Sequence, residues 1–185
     1  MRTLELALSL LAVLSAQDDG FGTVLGLTTH EFDPATGAQP ALTPWVGKLN
    51  QQALSGACPR YGEVLAIVND VTKSVRASGN YRDATDFGNR VHIGVARRVN
   101  SQEDPDFKAE ILLDPMEGKA NPYKPGNVRL DLLENVRATQ TVCVYDHKTG
   151  IAEISMARAM QLAANATRNY PYLKRIIIIQ VKPQT

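Results

Sequence analysis

The residues able to act as nucleophiles, bases or metal ligands are few and scattered. The three histidines are His30, His92 and His147, and the two cysteines are Cys58 and Cys143. They lie far apart in the chain, and none has a metal-ligand spacing to a cysteine. A nucleophilic Cys–His pair would need the fold to bring a histidine to Cys58 or Cys143, and nothing local supports it. Cys143 sits within an extended apolar run, where a buried structural thiol is the simpler reading. Cys58 precedes Pro59 in a loop-like stretch, open to a free thiol or to a disulfide with Cys143 or between subunits. Gly20-Phe-Gly-Thr-Val-Leu-Gly26 has the glycine density of a phosphate loop. Its third glycine comes one place late and no helix clearly follows, so these are turn glycines. Asn165-Ala-Thr167 is a glycosylation sequon inside a helical pattern, relevant only to a secreted chain. Asp and Glu fall mostly in turns, and no carboxylate pair stands out. The expectation is no catalytic residue, no metal site, no cofactor and no small-molecule substrate: not an enzyme.

Composition bounds the remaining classes. The chain has 185 residues, 44% hydrophobic and 21% charged, which suits one globular domain with or without an arm and excludes a disordered chain. Lys+Arg at 20 against Asp+Glu at 19 excludes a strongly basic tail protein but not a local basic face. No apolar run is long enough to span a bilayer, so no membrane partner is expected. Met1 to Gln17 has the outline of a secretory signal, with a cationic start, an apolar stretch and then small residues. Glu5 interrupts that stretch at a cost to membrane insertion. The alternative is a docking segment with Leu4, Leu8 and Leu11 on one helical face.

The elements that would position any site divide at residue 61. Residues 1–61 are a loop-rich arm with short strands such as Thr23 to Thr29, and residues 62–185 form a sheet-plus-helix unit. Val64 to Val68 and Thr72 to Arg76 read as extended, with a turn at Ser78-Gly79-Asn80. Arg90 to Arg98 alternates at period two, with Val91, Ile93 and Val95 on one side and His92, Gly94, Ala96 and Arg98 on the other. Phe107 to Leu113 alternates likewise and would form an antiparallel hairpin with it. Asp114 to Asn127 is a long loop. Val128 to Tyr145 is extended again, and the turn Asp146-His-Lys-Thr-Gly150 leads to a helix over Ile151 to Asn169. Ile176 to Val181 is a final buried strand or apolar tail. Strands grouped together and followed by one late helix make an α+β fold with an antiparallel meander. One helix cannot cover both faces, so one face must be solvated or meet a partner.

The polar strand faces would form one surface. His92, Gly94, Ala96 and Arg98 stand on the first strand, Lys108 and Glu110 on the second, and Thr139, Thr141 and Tyr145 on the third. Cations there could meet phosphates and apolar or aromatic groups could stack on unpaired bases, so single-stranded RNA is the expected partner. Glu110 on the same face weakens the basic patch.

From about Gly62 onward this order of elements resembles the coat proteins of single-stranded RNA bacteriophages. The matching segments are Arg90–Arg98, the polar turn, Phe107–Leu113, Ala138–Tyr145 and the helix from about Glu153 to Asn169. The resemblance implies two chains interlocked into a homodimer, many dimers assembled into an icosahedral virion shell, and RNA bound on the inner sheet at the positions just named. It leaves residues 1–61 as an extra arm. The alternative from another class is a secreted small binding protein with residues 1–16 removed, Asn165 glycosylated and Cys58 bridged to Cys143.

Overall fold

Two segments expected as strands, residues 64–76 and 90–98, are helices, and the spacing of their buried side chains explains why. A computed structural model describes residues 23–29, 42–48, 51–113, 128–150, 154–170 and 173–183. Among these residues the chain is mixed α and β. Strands β1 (Thr23–Thr29) and β2 (Leu42–Lys48) precede helices α1 (Gln51–Ala57), α2 (Tyr61–Ser78) and α3 (Ala84–Asn100). Strands β3 (Phe107–Leu113), β4 (Val128–Val136) and β5 (Thr141–His147) follow, then helix α4 (Met156–Asn169) and strand β6 (Arg175–Val181). The expected signal or docking segment at 1–17, the glycines at 20 and 22, and the loop 114–127 lie outside the described residues.

Helix α2 buries Val64, Ile67, Val68, Val71 and Thr72, a helical period that overrides the β-branched composition. Gly79 ends it in the left-handed conformation at φ 63°, and its N–H donates to the Arg76 carbonyl. Helix α3 begins at Asp83, whose side chain accepts from the Asp86 N–H. It buries Phe87, Val91, Val95 and Val99, each four residues from the last. The period-two reading of 90–98 required Ile93 to share their side, yet Ile93 is 49% exposed. This correction removes the first strand on which the coat-protein resemblance was built.

The sheet has six strands in the order β2-β1-β6-β5-β4-β3. All neighbouring pairs are antiparallel except β5 and β6. The meander expectation is thus corrected in two respects. Helix α4 is not the last element, and it serves as the crossover that returns the chain to lie parallel to β5. Strands β1 and β2, from the expected arm, extend the same sheet through β6. Helix α4 itself begins at Met156, capped by the Ser155 side chain on the Arg158 N–H, later than the expected 151.

Helices cover both faces. Helices α2 and α3 pack with Leu132, Cys143, Tyr145, Ile177 and Ile179. On the other face Ala159, Leu162, Ala163 and Ala166 of α4 pack with Leu133, Val142, Val144, Ile176 and Ile178. Ile176 to Ile179 therefore read as one apolar run because both faces are buried. The face expected to be solvated or to meet a partner is packed, over β4, β5 and β6, against the chain's own helices.

The two cysteines are bonded to each other. Cys58, just past α1, reaches Cys143 in mid-β5 across 85 residues, and both are fully buried. The bridge pins the start of the helical hairpin to a central strand. Beneath it, Glu134 accepts from the Arg60 backbone N–H at 3.1 Å and from the Tyr145 hydroxyl. Closing a loop of this length restricts the unfolded chain, so replacing both cysteines by alanine should cost about 2–5 kcal/mol in urea unfolding. An unchanged midpoint would mean that the bridge does not form.

Candidate functional site

The distant histidines meet. The imidazoles of His92 on α3 and His147 at the end of β5 stack with centroids 3.8 Å apart and a 30° tilt. Beside them lies Asp131 of β4. Its Oδ1 is 3.6 Å from His92 Nδ1, and its Oδ2 is 3.6 Å from His147 Nδ1. One ligand atom from each residue falls within 4.8 Å of the others.

A local break in the sheet puts Asp131 there. Leu130 and Leu132 would share a face in a regular strand, yet Leu130 packs towards α4 and Leu132 towards α2 and α3. The strand twists at Asp131 between them. Opposite, Glu110 takes a left-handed φ of 53°, and β3 and β4 pair on either side of the Glu110–Asp131 position but not at it. The β4–β5 ladder stops at Leu132–Tyr145, and the His147 N–H donates instead to Asp131 Oδ2 at 3.1 Å.

Burial dominates the electrostatics of the site. Burial, and then the nearby Asp146 carboxylate, pushes Asp131 up to about 6. Burial, then His92, drives His147 down to about 3, so its ring is neutral at ordinary pH. Burial lowers His92 as well, against the pull of Glu110. His147 is 1% exposed, and neither ring nitrogen has a hydrogen-bond partner among the described residues; His92 Nδ1 has none either. Buried nitrogens left this way are costly. Lys148 Nζ stands 2.8 Å from the Asp146 carboxylate, and Arg129 Nε stands 3.0 Å from Glu110. Donors around a first-row divalent ion sit about 2.1 Å from it and so about 3.0–3.4 Å from one another. Here one atom from each residue lies within 4.8 Å of the others, so the three would have to draw together around an ion. Two neutral imidazoles and a carboxylate suit Mn²⁺ or Zn²⁺. No short-range spacing joins these residues, which is why none was expected as a ligand; the fold brings them together.

No known family model, curated protein or solved structure matches the chain.

His92 also lines a neighbouring cleft of about 610 Å³, which Asp131 and His147 do not reach. Asn89, His92, Ile93 and Arg97 of α3 form one wall, and Glu110 and Arg129 of β3 and β4 the other. Of the residues expected to face RNA, His92 and Glu110 are here, and Ala96 lines the cleft while largely buried. The rest are elsewhere. Gly94 packs where α2 crosses α3, and a Cβ there would sit 2.6 Å from Val71 Cγ1. Arg98 pairs with Asp70 of α2 at 3.2 Å. Lys108 is exposed on β3 outside the cleft. Thr139 bonds the Thr141 hydroxyl at 2.9 Å, and Thr141 is fully buried and holds Arg175. Tyr145 faces the core and is buried, so no base can stack on it. The residues missed were Asp131, Asp146, His147 and Lys148. The signal for them was a carboxylate inside Leu130–Leu133 and a charged triplet ending the run Val142–Tyr145, both too apolar to tolerate charge without a purpose.

Two outcomes check this geometry. Mn²⁺ or Zn²⁺ added to EDTA-stripped protein should raise the melting temperature. Affinity should weaken as pH falls through about 6, because Asp131 holds its proton below that value and the ion must displace it. His147→Ala and Asp131→Asn should remove the shift; a melting temperature that no divalent cation moves would disprove the site. Separately, a glycine inside a strand ordinarily costs about 0.5–1 kcal/mol. Glu110→Gly should instead leave stability unchanged or raise it by up to about 1 kcal/mol, because the left-handed conformation already strains a side-chain-bearing residue. Chemical denaturation of the variant reads this directly.

Proposed function

We propose that the chain is a divalent-metal-dependent hydrolase that cleaves phosphodiester bonds in nucleic acid. The observation that carries this reading is a buried group of three potential metal ligands whose His92 also lines a cleft with Arg97 and the Arg129–Glu110 pair. His92, Asp131 and His147 offer ligand atoms, and His92 shares the cleft with Arg97 and Arg129. An anionic ester drawn in by guanidinium groups would reach a site where carboxylates and imidazoles hold a Lewis acid. The ion would polarise a phosphoryl oxygen and acidify a water.

The chain's own residues do the remaining work. Water forms the new P–O bond as the ester P–O bond breaks, and the leaving oxygen takes up a proton. Lys148, tied to Asp146, brings an ammonium to the site's edge, where it can donate to a non-bridging phosphoryl oxygen and stabilise the charge that builds there. Asp146, at 3% side-chain exposure, keeps that ammonium in place. The Asp131 carboxylate stands 3.6 Å from the Nδ1 of each imidazole and would join them in holding the ion. The buried Cys58–Cys143 bridge favours folding in an oxidising compartment, as in the secreted alternative. Among the described residues no helix is long and apolar enough to cross a membrane.

The test is incubation of purified protein with labelled DNA and RNA in Mn²⁺, Mg²⁺, Zn²⁺ or EDTA. Cleavage should require the metal. Asp131→Asn should lower it by at least about 10³-fold, and Lys148→Met by about 10²–10³-fold, in line with removal of one charged donor. Particles of megadalton mass carrying RNA, with no cleavage under any cation, would reject the hydrolase reading and favour the capsid one.

A further inference from the structure

We infer that Cys58, Cys143 and Glu134 form a second metal centre, a zinc site that exists only while the two sulfurs are reduced, so that bridge and ion are alternative fastenings of one joint. This goes beyond the hydrolase reading and does not depend on it. One donor atom from each of the three residues lies within 4.8 Å of the others. All three are buried, both cysteines at 0% and Glu134 at 5% exposure. Two thiolates with one oxygen donor suit zinc and disfavour magnesium, calcium and manganese. The joint also has the reach. Two thiolates on one zinc stand about 3.8 Å apart. The Cα atoms of Cys58 and Cys143 are 6.0 Å apart, so rotation about the two Cα–Cβ bonds supplies that separation.

The bridge alone leaves the carboxylate unexplained. Glu134 stands directly opposite Cys143 across the β4–β5 ladder, and a buried charge gains nothing from an uncharged sulfur pair. Its Oε1 accepts from the Arg60 N–H and its Oε2 from the Tyr145 hydroxyl. Each carboxylate oxygen has two lone-pair sites, so both keep one for a metal. The two hydrogen bonds aim the group, as the partners of metal-bound carboxylates do. A fourth donor stands nearby. The Ala57 carbonyl oxygen, at the end of α1, lies 3.7 Å from Cys143 Sγ. Sulfur and oxygen on one tetrahedral zinc are about 3.6 Å apart. The Tyr61 N–H, which would reach that carbonyl if the helix continued, donates to the Cys58 carbonyl instead. Two thiolates and a carboxylate leave the zinc centre with one negative charge. The Arg60 cation, near enough to favour the charged form of Glu134, offsets it.

The exchange balances. A dithiol reductant gives two electrons and two protons to the bridge, closes to its own disulfide and leaves Cys58 and Cys143 as thiols. Zinc then displaces both thiol protons to solvent as the Zn–S bonds form. In an oxidising compartment the bridge holds the end of α1 to β5; in a reducing one the ion holds the same two elements.

The experiment reduces the full chain with dithiothreitol, removes the reductant under argon and confirms both thiols by titration. Co²⁺ is then added as a spectroscopic stand-in for Zn²⁺. The reduced chain should bind it with a thiolate-to-cobalt charge-transfer band in the near ultraviolet, and Zn²⁺ should bleach that band. His92, Asp131 and His147 hold no sulfur and cannot produce it, so His147→Ala should keep the band. Cys58→Ser combined with Cys143→Ser should abolish it. Glu134→Gln should weaken Co²⁺ binding at least about tenfold while the band remains. Circular dichroism follows the fold. A reduced chain that is unstructured alone and folds when Zn²⁺ is added supports the site, since folding and binding are then one equilibrium. The inference is overturned by a band in the oxidised chain, by no band in the reduced one, by Glu134→Gln binding like the parent, or by a reduced chain that stays unfolded with Zn²⁺. Metal-dependent cleavage is read on the oxidised chain, so the hydrolase reading stands or falls separately.

Discussion

The His147 N–H donates to the Asp131 carboxylate where a regular ladder would give it a carbonyl of β4. That substitution shapes the surrounding chain. It lets β4 twist so that Leu130 and Leu132 serve opposite cores, and it turns Asp131 towards the helical hairpin. It leaves Glu110 opposite a missing pair, in a conformation that L-residues avoid, with its carboxylate at the cleft. A strained non-glycine residue persists only where its surroundings over-determine it. Here they do so through Arg129 on one side and the Asn100 clamp on the adjoining Ala109 on the other.

The three layers exist to hold that break in place. Strand β5 is buried along its whole length, and β6 lies parallel beside it. The disulfide ties β5 to the start of the hairpin that carries His92. Arg60 adds a second tie: it pairs with Glu63 and Asp104, and its guanidinium lies 4.6 Å from the Phe107 ring centroid. Thus α2 is fastened to the turn between α3 and β3, and the His92 wall cannot drift from the Glu110 wall. Positions that look replaceable, such as Gly94 against Val71, are fixed by the same requirement that α3 lie close.

How much of this was legible follows from which signals are local. Strands β3 and β6 and the body of α4 could be read because alternation, a β-branched run and a capped alanine-rich stretch each act within a few residues. Helices α2 and α3 could not. Their valines and isoleucines favour strands locally, and only packing of Val91 and Val95 against the sheet selects the helical period. Ile93 then read as core when it is surface. The candidate site was illegible for a related reason. His92 and His147 are 55 positions apart in the sequence, and their contact depends on a crossing of helix and strand that no spacing encodes. Asp131 was visible as an oddity, a carboxylate among leucines, but its meaning required the twist.

Desolvation links stability to function at the centre of the fold. Burying Asp131 beside Asp146, and His147 without a partner for either nitrogen, spends folding free energy unless something compensates. A hydrophobic replacement would pack there at less cost, so polar groups at this depth imply a ligand that restores what water no longer supplies. On the proposed reading that ligand would be a cation, set beside the Asp131 and Asp146 carboxylates and two neutral imidazoles. The cleft then has the opposite requirement. Arg97 and Arg129 there would repel a free cation's approach only weakly in salt, yet they favour an anion that arrives to complete the ion's coordination. On the proposed hydrolase reading, the buried ligands would serve the metal ion and the arginines the phosphate.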